Sequence, residues 1–275
     1  MDSDGGSGTI GGGIGMAGGD GGIGMAGGSR GRNELKLEAE SRRKAQQRLP
    51  QAVGLPPLRV FADGSTFIKD CSNSHSDLFD EIVDQTTDIC WALVLALILQ
   101  YAYNKDRPRN QRETLDVEGF ARKVKLTNEE ILAHKKLDSK AMAVGSLKKA
   151  MNHISSVGIE RADGRKRPGQ DVFTVKGVFV PEEIVQLFDK YGPLGITVDL
   201  TPGLLQLKEG IYMVPKPRDG VLRHALTIVG YGMTKDDKIF FGVINTWGER
   251  WGVKGHGRIM IEGTTDDIFF LGELK

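Results

Sequence analysis

Three residue types in this chain could together make an acyl-transfer centre. Cys90 heads the run Ile89-Cys90-Trp91-Ala92-Leu93-Val94-Leu95-Ala96-Leu97-Ile98-Leu99. Far downstream stand His224, in Arg223-His224-Ala225-Leu226, and Asn245, in Asn245-Thr246-Trp247-Gly248. A thiol, an imidazole and a carboxamide in that order supply a nucleophile, its base and the group that orients the base. Each has a plainer reading alone. A lone cysteine is usually a small buried hydrophobe, a lone histidine a satisfied core or surface residue, and an asparagine before Thr-Trp-Gly a turn former. The conjunction is what points to chemistry.

The flanking sequence predicts how these three side chains are mounted. The residues after Cys90 are apolar on every side, which predicts a buried helix in the domain centre. At its N-terminus, partial positive charge and unpaired N–H groups favour the thiolate. Gln85 lies five residues before Cys90. Its side-chain N–H, with the backbone N–H of Cys90, would hold an oxyanion. Two runs read as strands, from His224 to Val229 and from Lys238 to Ile244, joined by the polar loop Met233-Thr234-Lys235-Asp236. Folding the chain about the midpoint of that loop sets His224 directly opposite Asn245, within side-chain reach. The amide would then fix one tautomer of the ring and leave its other nitrogen for Cys90.

These stretches resemble the papain-like cysteine peptidase family. The matching residues are Gln85…Cys90-Trp91-Ala92, then His224-Ala225-Leu226-Thr227-Ile228-Val229-Gly230-Tyr231-Gly232, then Asn245-Thr246-Trp247-Gly248-Glu249-Arg250-Trp251-Gly252, closed by Gly255-His256-Gly257-Arg258-Ile259. All three tryptophans of the chain fall inside these motifs. His224 follows Cys90 by 134 residues and Asn245 by 155, close to the family's separation of about 130–150. The resemblance covers roughly residues 75–275. It implies Cys90 as nucleophile, His224 as base, Asn245 as orienting residue and Gln85 as oxyanion donor. Trp247 would shield the His–Asn pair, and Leu222 and Ala225 would line an apolar substrate pocket. The implied chemistry needs no metal or organic cofactor.

The chain departs from the family pattern at several points. The family's Gln stands six residues before the nucleophile, and here it stands five before. The structural Cys and the Gly that precede the nucleophile are replaced in Thr86-Thr87-Asp88-Ile89. Asp88 opposes ionisation of the neighbouring thiol unless it points to solvent. Arg223 stands where the family often has an acid, and a cation there would disfavour protonation of His224. The family's Gly-Gly stretch, which pairs with substrate backbone, has no counterpart, since only Gly119 and Gly145 lie between Cys90 and Val157. A rebuilt cleft wall with narrow or protein-sized substrates is the expectation. A catalytically weak pseudoenzyme that binds peptides or a partner protein is the alternative, and a ligase or transpeptidase needs the same triad.

The rest of the chain suggests an α+β, two-lobed domain over 61–275. Its helical lobe would run over about 85–165 and its antiparallel, barrel-like β lobe over about 166–275, with the cleft between. Thr127-Asn128-Glu129-Glu130 is a capping box opening a helix. Further helices are predicted over 146–157 and 181–191. Strands are predicted at 171–180, 194–200, 210–214, 224–232, 238–245, 256–262 and 268–274. Residues 1–60 read as a Gly-rich tail and linker. Gly12-Gly13-Ile14-Gly15-Met16-Ala17-Gly18-Gly19 recurs at 21–28, and its G-x-G-x-x-G pattern lacks the flanking strand and helix of a dinucleotide site. A solvated helix is predicted over 34–48.

Lys plus Arg total 37 against 36 for Asp plus Glu, so bulk charge favours neither nucleic acid nor membrane. The expected partner is a peptide or protein substrate, and the expected state a monomer. With two cysteines, one assigned to chemistry, no disulfide framework remains and Cys71 reads as a bystander. No basic segment followed by an apolar run opens the chain. The expectation is a cytoplasmic or nuclear location, or a vacuole or lysosome if the N-terminus is incomplete.

Overall fold

Strands buried along nearly their whole length build a sheet around one long strand, and a mostly apolar helix packs against it. The computed structural model describes residues 59–124, 147–167, 173–176, 178–219, 221–265 and 268–272, all within one compact unit that begins at Leu55. The expected helices at 34–48 and after Thr127, the Gly-rich repeat and Gly145 lie outside these residues.

The strands in chain order are β1 (Thr66–Asp70), β2 (Ile159–Glu160), β3 (Lys166–Arg167), β4 (Phe173–Lys176), β5 (Leu194–Asp199), β6 (Tyr212–Val214), β7 (Arg223–Met233), β8 (Ile239–Ile244), β9 (His256–Ile261) and β10 (Ile268–Leu271). The large sheet runs β4-β10-β5-β7-β8-β9-β6, and β1 pairs with β7 as well. Every pairing in it is antiparallel except β6 with β9. This is the expected α+β class. The helices that bear on the site are α1 (Cys71–Ser74), α2 (Cys90–Asn104), α3 (Val117–Val124), α4 (Leu147–Ser156) and α5 (Pro181–Tyr191). The last two match the predicted 146–157 and 181–191 within a residue or two at each end.

Strand β7 is the hub. Along one edge Arg223–Ile228 pairs with β5 and Gly230–Met233 pairs with β1, while the other edge carries β8. β5 and β1 share that edge by pairing with successive segments of β7, and the register with β8 on the other edge shifts between Ile228 and Gly230. The close approach of β1 requires glycine. A Cβ on Gly232 would lie 2.2 Å from the Thr66 carbonyl oxygen, and one on Gly230 would lie 2.5 Å from that of Lys69.

The structure departs from two expectations. First, the predicted division of the chain, helices before strands, is incomplete. β1 precedes the helices yet joins the β-lobe sheet, and β2 and β3 form a hairpin of their own. Short strands of mixed polarity such as Thr66–Asp70 carry little periodic signal, and their pairing is decided by tertiary context. Second, the β7–β8 register differs from the one expected. Thr227 faces Ile244 rather than Gly242, a slip of two positions. The turn sits later than expected, with Thr234 N–H bonded to the Lys238 carbonyl and Asp237 at φ 56.

Helix α2 is buried on most of its surface, as its composition demands. Trp91, Ala92, Val94, Leu95, Ile98 and Leu99 pack with α3 and α4 in one apolar cluster, which also takes in Ala225 of β7 and Phe269 of β10. Tyr101, nearer its end, belongs to the β-lobe cluster. The far end is anchored by Asn104. Its Nδ2 donates to the Glu113 carbonyl and its Oδ1 accepts from the Glu113 N–H, both at 2.8 Å. Gln100 Oε1 accepts from Leu115 N–H at 2.8 Å. Asn104→Ala leaves both Glu113 backbone groups without these partners in a buried setting. It is expected to lower the unfolding free energy by about 2–4 kcal/mol, read by urea titration. A loss below about 0.5 kcal/mol would show that the clamp does not hold the helix.

Candidate active site

The nucleophile candidate sits where the sequence put it, on the first residue of α2. Ile89 caps the helix without a side-chain hydrogen bond, so the first N–H groups are not satisfied by a cap. Cys90 is half-buried and, like Cys71, a free thiol. Burial pushes its pKa above the ordinary thiol range. Hydrogen bonds from the backbone of Ala225, Trp91 and Cys90 itself pull the other way, and the charge of Asp88 adds to the rise. Asp88 is exposed, so water weakens its effect. The bond to Ala225 fixes where the thiol lies: against the backbone of the residue that follows His224.

His224 and Asn245 do meet, although not as directly opposed strand residues. His224 is paired in register with Val198 of β5, and Asn245 lies just past the end of β8. Because the register slip is even, both side chains stay on the face the sequence assigned them. His224 Nε2 lies 2.6 Å from Asn245 Oδ1. That oxygen also accepts the Thr246 N–H at 2.7 Å. A carboxamide oxygen cannot donate, so Nε2 carries the proton and Nδ1 holds the lone pair. Asn245 Nδ2 is buried with no hydrogen-bond partner. Flipping the amide would satisfy nothing, since both neighbouring groups at Oδ1 are donors. The orphaned N–H₂ is the cost of an oriented imidazole.

Trp247 stacks on the imidazole with ring centroids 4.1 Å apart and planes 25° from parallel. Trp251 meets Trp247 edge-on, and its Nε1–H is anchored on the Leu204 carbonyl at 2.8 Å. This aromatic cover leaves His224 only 4% exposed. Burial lowers its pKa from 6.5 to about 4, and the bond to Asn245 opposes that shift. The expected cause, the cation of Arg223, is not what lowers it. Successive strand residues face opposite sides of a sheet, which carries the guanidinium away from the imidazole. One guanidinium nitrogen of Arg223 donates to the Thr197 carbonyl at 2.9 Å and to Thr197 Oγ1 at 3.0 Å, and its Nε lies 3.8 Å from Asp199 Oδ1. Asp199 is fully buried and also accepts from the Arg218 N–H and side chain.

Gln85 is held to the segment after Asn245. Its N–H donates to the Thr246 carbonyl at 2.8 Å, Asp84 and Trp247 form an isolated β-bridge, and the Gly248 N–H donates to the Val83 carbonyl at 3.0 Å. Its side-chain Oε1 accepts the Thr246 hydroxyl proton at 2.5 Å. Thr246 and Asp199 are the residues sequence reasoning missed. Asp199, opposite Arg223 on the neighbouring strand, was detectable only once the register was known. Of the other proposed lining residues, Leu222 is 63% exposed beside the pair, and Ala225 is 2% exposed, packed under the start of α2. Gly119 lies inside α3, with its N–H bonded to Asp116, so it offers no edge for a peptide to pair with. Among the described residues no group of histidines, cysteines and acids is arranged to hold a metal ion, and no helix is long and apolar enough to cross a membrane.

Comparison with known proteins gives a consistent picture. The model of the papain family cysteine proteases matches residues 160–267, a stretch that contains His224 and Asn245. Testin-2 of Rattus norvegicus is 37% identical over 82 residues, 28% of this chain and 25% of that protein. Cathepsin 7 of the same species is 30% identical over 103 residues, 34% and 31% of the two chains. Cathepsin M of Mus musculus is 31% identical over 110 residues, 36% and 33% of the two. The chain thus spans about a quarter to a third of the length of the curated relatives it matches. A solved structure from work on antibody cross-reactivity between the mite allergens Blo t 1 and Der p 1 shares the fold. It has a TM-score of 0.50 and 17% identity, covering 82% of this chain and 74% of that one. These matches make residues 160–267, the stretch that carries His224 and Asn245, similar to the papain family cysteine proteases, and the likeness to the solved structure extends over the fold.

Proposed function

We propose that the chain is a thiol peptidase that cleaves peptide bonds through an acyl-enzyme. The observation that carries this reading is the 2.6 Å bond between His224 Nε2 and Asn245 Oδ1, which turns the lone pair of Nδ1 into the base of the site. In the proposed cycle Cys90 Sγ attacks the scissile carbonyl carbon and the thiol proton passes to His224 Nδ1. The Cys90 N–H and Gln85 Nε2 hold the oxyanion. As the C–N bond breaks, His224 returns the proton to the leaving amine. Water, deprotonated by His224, then releases the acyl group from Cys90. The exposed Leu222 supports an apolar preference two residues before the cut, and the helical setting of Gly119 supports a narrow substrate range.

One observation favours the second reading, a weak or inactive binding module. Burial pushes the Cys90 thiol up and His224 down to about 4, so at neutral pH the resting pair is a thiol and a neutral imidazole rather than an ion pair. Substrate that displaces water and brings the oxyanion would have to drive proton transfer.

Two experiments separate these readings. At neutral pH iodoacetamide should label Cys90 faster than the buried Cys71, whose pKa is likewise raised by burial, and His224→Ala should slow Cys90 labelling about tenfold. Equal rates at both thiols, unchanged by the substitution, would leave only the binding module. The second reads the buried imidazole through stability. The unfolded ring titrates near 6.5 and the folded one near 4, so between these values the unfolded chain binds more protons. The stabilisation is fully present above pH 6.5 and falls away as pH drops to about 4, by an amount on the order of 3 kcal/mol. Urea titrations at pH 7.5 and 4.5 should show wild type losing more stability than His224→Gln. Parallel losses would mean that the imidazole is protonated in the folded state.

A further inference from the structure

The sequence leaves one question at this site. With one residue fewer than the family between Gln85 and Cys90, something other than the local chain must set the oxyanion donor. The structure assigns that role to Thr246, as the positioning residue that aims both carboxamides of the site. This rests on the peptidase reading and goes beyond it.

A threonine hydroxyl has a single proton to donate, and that of Thr246 goes to Gln85 Oε1. With its oxygen held there, the Gln85 side chain can present only its N–H₂ end elsewhere, which is the end an oxyanion needs. The backbone of the same residue works on the other carboxamide. Its N–H donates to Asn245 Oδ1, the atom that receives the His224 proton, and its carbonyl accepts from the Gln85 N–H. Thr246 is itself 7% exposed, so these bonds form out of bulk water, where they are directional and strong. The flanking bridges, Asp84 with Trp247 and Gly248 with Val83, keep the Gln85 segment from drifting. The register of Gln85 is therefore taken from the residue after Asn245, across the cleft, and the spacing to Cys90 is free to shorten.

The division of labour makes the idea testable. Thr246→Val keeps shape and both backbone bonds, so the Asn245–His224 pair stays aligned, and removes only the hydroxyl that holds Gln85. A peptide aldehyde reports the result without turnover. The Cys90 S–H adds across its C=O, forming an S–C bond while the carbon–oxygen π pair becomes an oxyanion or, with the thiol proton, a hydroxyl. Iodoacetamide alkylation at Cys90 forms no such oxygen and serves as the control.

Thr246→Val should weaken aldehyde binding and lower kcat/KM about tenfold, mainly through kcat, while the alkylation rate stays within twofold of wild type. Thr246→Ser should restore aldehyde binding. Adding Thr246→Val to Gln85→Ala should cost nothing further, since both act through one group. Unchanged aldehyde binding in Thr246→Val, or additive losses in the double variant, would overturn the assignment while leaving the peptidase reading intact. So would equal losses of alkylation and aldehyde binding in both the Val and Ser variants, which mark a merely structural role. If wild type bound no aldehyde and Cys90 alkylated no faster than Cys71, the peptidase reading itself would fall, and this inference with it.

Discussion

Burial of one long strand against one apolar helix governs the geometry of this site. β7 is shared by three neighbouring strands, and its first residues lie under the start of α2. A strand held on both edges cannot slide by one residue without turning its apolar set to the wrong face. A helix whose side chains are buried nearly all round is likewise fixed in rotation and height. Cys90 and His224 are the first residue of that helix and the second of that strand. Their proximity is thus set by the packing of that helix on that strand, with Ala225 in the helix's apolar cluster and its backbone bonded to the Cys90 thiol. Groups mounted in this way hold their positions without binding energy being used to assemble them.

The same burial that fixes the groups also sets their charge. An imidazole covered by Trp247 and reached by no carboxylate among the described neighbours loses hydration without gaining a counter-ion, so it stays neutral. The thiol, placed at a helix N-terminus that should favour its anion, is dominated by desolvation instead. A helix end contributes roughly 0.3–1 kcal/mol to a nearby charge, whereas removing an ionisable group from water can move its pKa by several units. The structure therefore stores a base and an acid side by side in their uncharged forms. In the proposed cycle the oxyanion donors would be the groups that pull the proton across.

Cys90, His224 and Asn245 were legible in the sequence as candidates because their chemistry is tied to particular residue types in long apolar runs. Cys90 begins a helix that composition alone requires, and the helix Pro181–Tyr191 was bounded by its first proline and by Gly192 after it. The β7–β8 pairing was legible in kind but not in register. The bulge after Ile228 and the turn at Asp237, a left-handed non-glycine, both add residues that a symmetric fold-back does not count. The expected meeting of His224 and Asn245 survived because the slip is even. β1 was invisible because Thr66–Asp70 is short and mixed in polarity, and its place depends on two glycines more than 150 residues away. Thr246 was quoted as part of a motif without a role, because nothing local shows that a hydroxyl there reaches a side chain 161 residues earlier.

The departures from the family pattern follow one physical rule: a lost local feature is replaced by a contact from another element. Arg223 places a cation next to His224 in sequence, yet strand alternation moves it to the opposite face. There the buried Asp199, directly across β5, receives it. An uncompensated carboxylate at the depth of Asp199 would be costly. An Asp–Arg pair across a ladder lets the position change sign without disturbing the imidazole behind it. The shortened stretch before Cys90 is handled likewise, since Gln85 is tied to Thr246 and its segment to Trp247 and Gly248. Spacing along the chain matters only where the chain itself does the positioning. Where hydrogen bonds from a neighbouring element do it, the constraint passes to the residue that makes them. In this molecule the constraint on Gln85 falls on residue 246, which must supply a hydroxyl proton and a backbone N–H to two different amides.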